Sequence, residues 1–365
     1  MKKNVIIFMP SIEDGGVEKN LYEVSNYLVK NNISLEIITC NKNMSFKFSK
    51  DIKFIGTKNS YWNNRSRYIK YIICLLILFL TLIKRKEKTL VFAFQANIYA
   101  VILAKILNVK IITRSNSAPP GWSQNAIKNF IYKFFIKFAN DVMVNSFEFK
   151  KIFEKKFNIK VKCIYNPFNK NFVLKKINIK KKITFFKKGY LNIISVGRLT
   201  DQKDHLTLLR SIKELDSNFK VKVIIIGKGS TKDILKRYII KNNLQNKIKL
   251  FGYTNNPFPF IQKANMVVLT SKFEGLPNIL LEAQFLRKYI ISTNCPTGPK
   301  EILLNSKAGD LINIGDFKKL SHLIKNYSNN KNSIIKKINT GYKKFYRFDY
   351  MLNCKKYLNF IKNNY

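Results

Sequence analysis

Histidine, arginine, acid and long apolar runs are all in short supply. The chain has only 2 histidines, His205 and His322, too far apart for a metal-binding spacing, and no Asp-x-Asp pair to bridge a cation to a phosphate. No metal site is expected. Five cysteines, Cys40, Cys74, Cys163, Cys295 and Cys354, are odd in number and contain no Cys-x-x-Cys, which argues against a disulfide framework and for reduced, buried thiols of a cytosolic protein. The apolar stretch "YIICLLILFLTLI", residues 71 to 83, falls short of the roughly 20 residues needed to cross a bilayer, so a buried or interfacial helix is expected. The opening "MKKNVIIFMPS" is cut off by Pro10 before it reaches the length of a signal segment, and it reads as a first strand.

The chain is rich in apolar residues and lysine. Its 365 residues, 46% hydrophobic and 13% aromatic, suit a globular protein of two domains of about 150 to 200 residues each. Lys and Arg total 67 against 21 acids, a formal net charge of +46, and nearly all of the cations are lysine. Two readings fit: coding bias towards Lys and Asn, or attraction to anionic lipid and phosphorylated substrates. A nucleic-acid binder fits poorly, because lysines are spread through both halves and no recognised module occurs. The segment "IKNFIYKFFIKF", 127 to 138, sets Lys128, Lys133 and Lys137 among aromatics, either as a helix on an anionic membrane surface or as a core helix with snorkelling lysines.

Short β-branched runs alternate with helical stretches in both halves. "NVIIFM", "LEIIT", "TLVFAF", "VKIIT" and "DVMVN" precede residue 150; "LNIISVG", "VKVIIIG", "KIKLFG", "NMVVLTS" and "KYIIST" follow residue 190. The pattern predicts an α/β chain of two doubly wound, Rossmann-like domains with parallel sheets. The expected bounds are 1–170 for the first domain, 171–190 for an Asn- and Lys-rich linker and 191–345 for the second. A C-terminal helix over 346–365 is expected to pack back on the first domain.

In such sheets ligands bind beyond the carboxyl ends of the strands. Three loops of the second half carry candidate residues there. The first offers Gly197, Arg198 and Lys203, with the two cations suited to a diphosphate and Arg able to bind it as a fork. The second, Gly227-Lys228-Gly229-Ser230, is either a phosphate cradle or a tight turn. The third, "FEGLPNILLEA", places Glu274 at a strand end and Glu282 eight positions on, within a helix whose early N–H groups face the ligand and whose first helical position suits Pro277. Backbone amides would take phosphate, and carboxylates would take sugar or ribose hydroxyls.

"SVGRLTDQK", "IIIGKGS", "LFGYTNNPFPFIQKANMVVLTSKFEGLPNILLEAQF" and "ISTNCPTGPKEIL", with "GGVEKNL", "TRSNSAP", "VNSFEFKK" and "IYNPFN" in the first half, resemble the family 4 (group 1) glycosyltransferases over nearly the whole chain. The resemblance implies the GT-B fold, two Rossmann-like domains facing across a cleft, and the polysaccharide-assembly branch, which commonly uses UDP-sugars. It implies that Glu274, Arg198 and Lys203 act at the reacting centre. It implies a donor site of Gly15, Gly16, Gly197, Gly227, Gly229, Tyr253, Gly275, Leu276, Pro277, Asn278 and Glu282, with Glu282 on the ribose. Arg114, Ser115 and Asn116 would lie on the acceptor side. Relatives often carry a first-domain histidine on the donor sugar, and none stands there here.

The expected activity is therefore retaining transfer of a hexose or N-acetylhexosamine from a UDP-sugar to a lipid-linked acceptor, such as an undecaprenyl-diphosphate glycan, in capsule, O-antigen or lipopolysaccharide assembly. No metal or other cofactor is expected, and the protein is expected in the cytoplasm, peripheral on the inner membrane face. A soluble or protein acceptor, or a sugar-nucleotide epimerase or hydrolase, are the other readings, and a nucleic-acid binder stands further off.

Overall fold

The computed structural model describes residues 3–12, 15–40, 45–57, 61–62, 65–85, 87–116, 126–179 and 183–365. Two compact units emerge: Met1–Pro167 with Tyr350–Tyr365, and Phe168–Asp349.

The first unit is built on seven parallel strands, β1 (Lys3–Phe8), β2 (Ile33–Ile38), β3 (Lys53–Ile55), β4 (Thr89–Ala93), β5 (Lys110–Arg114), β6 (Asp141–Val144) and β7 (Lys162–Cys163), in the order β3-β2-β1-β4-β5-β6-β7. Its early helices are α1 (Gly16–Lys30), α2 (Arg67–Ile83), α3 (Asn97–Ile106), α4 (Ala126–Phe135) and α5 (Phe147–Phe157). Strand β1 reads as an unbroken apolar run because both of its faces are covered. Val5 and Ile7 join a core with Leu21, Val24 and Leu28 of α1, while Ile6 and Phe8 join one with Leu78 of α2 and Val101 of α3.

The second unit holds α6 (Lys170–Ile177), α7 (His205–Lys213), α8 (Lys232–Lys241), α9 (Phe258–Lys263), α10 (Asn278–Phe285), α11 (Pro299–Ile302), α12 (Phe317–Lys325) and α13 (Lys331–Lys343). They surround six parallel strands, β8 (Leu191–Val196), β9 (Val221–Ile226), β10 (Ile248–Gly252), β11 (Met266–Leu269), β12 (Tyr289–Thr293) and β13 (Asp310–Ile312), in the order β10-β9-β8-β11-β12-β13.

Residues 171–190, read from sequence as a linker, include most of α6. That helix buries Val173, sets Phe172 edge-on to Phe258 of α9 and has its Lys176 carbonyl capped by the Asn256 side chain at 2.8 Å, so it belongs to the second unit. The turn Phe345–Phe348 stays there too, its Phe345 ring packed 4.9 Å from Phe168. The last helix, α14 (Tyr350–Asn364), returns to the first unit and buries Cys354, Tyr357, Phe360 and Ile361 in the core beneath α1.

Candidate active site

Strand order in the second unit reverses between β8 and β11, which pair directly although two strands, β9 and β10, and three α-helices separate them in sequence. The crevice beyond the carboxyl ends at such a switch is where open α/β sheets bind ligands. The loops leaving β8 and β11 carry Arg198, Lys203 and Glu274, and they are stitched together. The Lys272 N–H donates to the Gln202 carbonyl at 2.8 Å, the Gln202 side-chain amide donates to the Phe273 carbonyl at 2.9 Å, and Thr270 Oγ1 donates to the Lys203 carbonyl at 3.1 Å. Outside them, Lys272 pairs with Asp201 at 2.7 Å.

Within this frame Lys203 Nζ lies 2.5 Å from Glu274 Oε1, with side chains only 14% and 8% exposed. Sequence reading gave the two residues separate duties and did not pair them. Shielded from water, each neutralises the other's charge. Arg198 is exposed, and its guanidinium makes one long contact, 3.4 Å, to Gln202 Oε1. It stands beside the pair as an accessible cation.

Glycines in these loops serve backbone-to-backbone approach. A side chain on Gly227 would begin 1.9 Å from the Gly197 carbonyl oxygen, and one on Gly229 2.2 Å from that of Leu199. The Gly227–Ser230 loop thus buttresses the Gly197–Leu199 loop, and the Leu199 N–H donates to the Lys228 carbonyl at 2.9 Å. Gly197 meets only the aliphatic stem of Lys203, at ordinary contact distance. Tyr253, next to Gly252, is partly exposed with Lys228 Nζ 5.0 Å from its ring centre.

Gly275, Leu276 and Pro277 are buried and Asn278 half-buried, leading into α10, where Glu282 is also buried. Pro277 occupies the N-cap with extended backbone, one residue before the first helical position expected for it. A fourth loop, after β12, escaped the residue-by-residue reading. Thr297 Oγ1 donates to the Glu274 carbonyl at 2.6 Å, and the Glu274 N–H donates to the Pro296 carbonyl at 3.3 Å. Gly298, at φ +83°, would put any side chain 2.3 Å from the Gly275 carbonyl oxygen. The "CPTGP" turn after an apolar strand was the available signal.

His205, set aside for lack of metal spacing, opens α7 directly below the Arg198 loop. It is buried, with Nδ1 3.3 Å from Ser195 Oγ. Burial, reinforced by the Lys203 charge, pushes its pKa down to about 4, so the imidazole is neutral. Cys295 is pushed up to about 12 by burial and by the Glu274 carboxylate, which keeps it an inert thiol.

The remaining candidates sit in the first unit. Gly15 caps α1 in extended conformation, and a Glu18 carboxylate oxygen lies 2.7 Å from where its side chain would start, so the helix N-terminus already holds an acid. Gly16 begins α1 and accepts from the Asn20 side chain at 2.9 Å. Arg114 is 1% exposed. Its guanidinium donates to Asn116 Oδ1 and, at 2.8 Å, to Asn166 Oδ1, and it stacks 5.3 Å from the Phe94 ring centre. The Arg114 side chain therefore serves the interior of the unit. Asn116 ties back to the Phe94 carbonyl at 2.8 Å, and Ser115 Oγ lies 3.4 Å from Tyr132 Oη. Among the described residues no cluster of His, Cys, Asp and Glu could hold a metal ion.

Residues 176–344 match the family model of group 1 glycosyl transferases. An uncharacterized glycosyltransferase of Methanocaldococcus jannaschii is 39% identical over 178 residues, 47% of this chain, which spans 44% of that relative's length. The N-acetylgalactosamine-N,N'-diacetylbacillosaminyl-diphospho-undecaprenol 4-alpha-N-acetylgalactosaminyltransferase of Campylobacter jejuni is 25% identical over 339 residues, 84% of this chain and 85% of the relative. Among solved structures, Anabaena HepE in complex with UDP superposes with a TM-score of 0.79 at 16% identity, covering 99% of this chain and 100% of that one. The sucrose-phosphate synthase of Thermosynechococcus elongatus superposes at 0.82 and 11%, covering 99% of each chain. These likenesses share the two-sheet fold.

Proposed function

We propose that this chain, whose residues 176–344 match the group 1 glycosyl transferases and whose fold is that of GT-B enzymes, transfers a hexose or N-acetylhexosamine, with retention, from a UDP-sugar to a lipid-linked glycan. The observation that carries the donor half is the Lys203–Glu274 pair at the β8/β11 switch, with exposed Arg198 beside it. A diphosphate entering the crevice meets Arg198 first and then competes with Glu274 for Lys203. As Lys203 turns to phosphate, the Glu274 carboxylate is released towards the sugar hydroxyls. Glu282 serves the ribose, and Gly197 lets the β8 loop lie close to the phosphates.

Breaking the bond from the anomeric carbon to oxygen leaves negative charge on the terminal phosphate of UDP, and two preplaced cations stabilise that charge more than they stabilise the intact donor. The acceptor hydroxyl attacks on the face the leaving group vacates, and its proton passes to the departing phosphate oxygen. No protein nucleophile is needed. Arg198 and Lys203 supply the neutralising charge that an Asp-x-Asp-bound cation would otherwise bring, so transfer runs without a metal. Support for the acceptor comes from two Campylobacter relatives, each about 25% identical over most of this chain, whose names specify undecaprenol-linked glycans. Surface-polysaccharide assembly, as in the capsule and lipopolysaccharide relatives, is the setting this implies.

The test is thermal stabilisation by UDP, GDP, ADP, CMP and UDP-sugars with and without EDTA, followed by transfer from the best UDP-sugar to a polyprenyl-diphosphate glycan. A UDP-selective shift that survives EDTA, and a product of unchanged anomeric configuration, are expected. A flat panel, or transfer abolished by EDTA and restored by magnesium, would overturn the donor reading.

A further inference from the structure

We propose that the outer face of α2, α3 and α4 is a docking surface for a bilayer containing anionic lipid, which brings the first unit to the lipid-linked acceptor; the inference rests on the acceptor reading above. Helix α2 turns one stripe inward, Lys70, Cys74, Leu78 and Leu82, spaced four residues apart. Ile73, Leu75 and Ile77 flank that stripe and pack partly against the same core, while the opposite side of this almost wholly apolar helix faces water. Ile72, Leu76 and Ile83 are 59%, 57% and 52% exposed, and the same is true of Ile106 on α3 and of Phe130 and Phe134 on α4.

The three helices are neighbours on one side of the first sheet. Tyr71 of α2 and Tyr99 of α3 bring their ring centres within 6.3 Å, and Ile98 of α3 shares a core with Ile136, just past α4. About half of the exposed large apolar side chains among the described residues fall on these helices and the turn 136–138. A soluble monomer rarely shows so much contiguous apolar surface unless something covers it.

Charge identifies the cover. Neither α2, α3 nor residues 126–138 contain a single Asp or Glu, while Arg67, Lys84, Lys105, Lys133 and Lys137 are exposed on or beside them. A second copy of the chain would oppose cation to cation. An anionic headgroup layer pairs with the lysines while the aromatic and aliphatic side chains enter the acyl boundary, as in interfacial amphipathic helices. The helices lie on the membrane rather than through it: α2 has 17 residues, and no helix among the described residues is long and apolar enough to cross.

Co-sedimentation of the full chain with vesicles tests this, using phosphatidylcholine alone and an equal mixture of phosphatidylcholine and phosphatidylglycerol. Binding is expected to the mixed vesicles and to weaken with salt. The triple variant Ile72→Ser, Leu76→Ser, Phe130→Ser should lower partitioning by about tenfold or more, since three apolar contacts with lipid are lost. Its melting temperature, its UDP shift and its transfer to a short water-soluble acceptor should stay unchanged. Lys133→Glu with Lys137→Glu, which leaves the apolar face intact, should abolish the preference for phosphatidylglycerol. Wild-type protein that ignores the mixed vesicles, or a triple variant that binds like wild type, would overturn the proposal. So would a wild-type dimer in light scattering that the triple variant dissolves, which would assign the face to a second copy. Vesicle binding without any UDP shift would instead sink the donor reading and leave the docking face standing.

Discussion

Replacing Glu274 by Gln separates the two duties proposed for that residue. In the wild type its carboxylate lies 2.5 Å from the Lys203 ammonium, and both side chains are largely shielded from water. Deleting one partner of a buried ion pair typically costs about 3–5 kcal/mol, because the other charge is left uncompensated. Gln keeps an oxygen to accept from Lys203, and Lys203 retains some access to solvent, so the expected loss is smaller, about 1–3 kcal/mol. For a unit of this size that lowers the melting temperature by several degrees. Lys203→Met should cost a similar amount, and the double variant should cost clearly less than the sum, since the pair is lost only once. UDP should bind the Gln variant as tightly as wild type or more tightly, because the phosphate no longer competes with a carboxylate for Lys203. Transfer should fall by about a hundredfold or more, the scale of losing a group that acts on developing charge. Calorimetric UDP titration and single-turnover transfer measure these separately. Additive stability losses would refute the pairing, undiminished turnover would remove Glu274 from the reacting centre, and UDP binding that falls in step with turnover would make Glu274 a nucleotide ligand.

Arg198→Ala, which removes an exposed side chain with one long hydrogen bond, should leave the melting temperature within a degree or so, since such surface changes cost about 0.5 kcal/mol or less. It should weaken UDP and transfer together by about tenfold to a hundredfold; an unchanged UDP dissociation constant would contradict its role. His205 should make stability depend on acid. Its pKa is depressed from 6.5 to about 4, so above pH 6.5 the imidazole is neutral in both folded and unfolded chains and contributes no slope. Between pH 6.5 and about 4 the unfolded chain binds a proton that the folded chain refuses, and roughly 3 kcal/mol of stability is lost. Urea titrations across that range should show the loss in wild type and not in His205→Gln; parallel curves would mean that His205 titrates normally.

Much of this was written in the sequence, and physical reasons divide what was legible from what was not. The central strands β1, β9 and β11 announce themselves because a parallel strand covered on both faces must be apolar throughout. Edge strands β3, β7 and β13, only two or three residues long, carry no such pattern and were not anticipated. Helix α6 hid in lysine-rich text because a single buried valine anchors its face. Glu274 and Lys203 were each legible as strand-end residues, but their contact was not. They are 71 positions apart and meet only because β8 and β11 are neighbours in the sheet. The exposed side of α2 was equally hidden, since a helix apolar all round gives periodicity nothing to resolve.

Helix α14 has a consequence for the order in which the molecule can be made. Most of the first unit precedes the second in the sequence, yet Tyr357, Phe360 and Ile361 of its core come from α14, after the second unit, and the Tyr365 hydroxyl both accepts from the Asn4 N–H and donates to the Lys88 carbonyl. Until α14 emerges from the ribosome, the nascent first unit carries an open apolar trough beneath α1, whereas the second unit, Phe168–Asp349, is contiguous in sequence and can close on its own. The earlier of the two units therefore closes after the later one, and a fragment ending at Pro167 would present that trough to solvent for good.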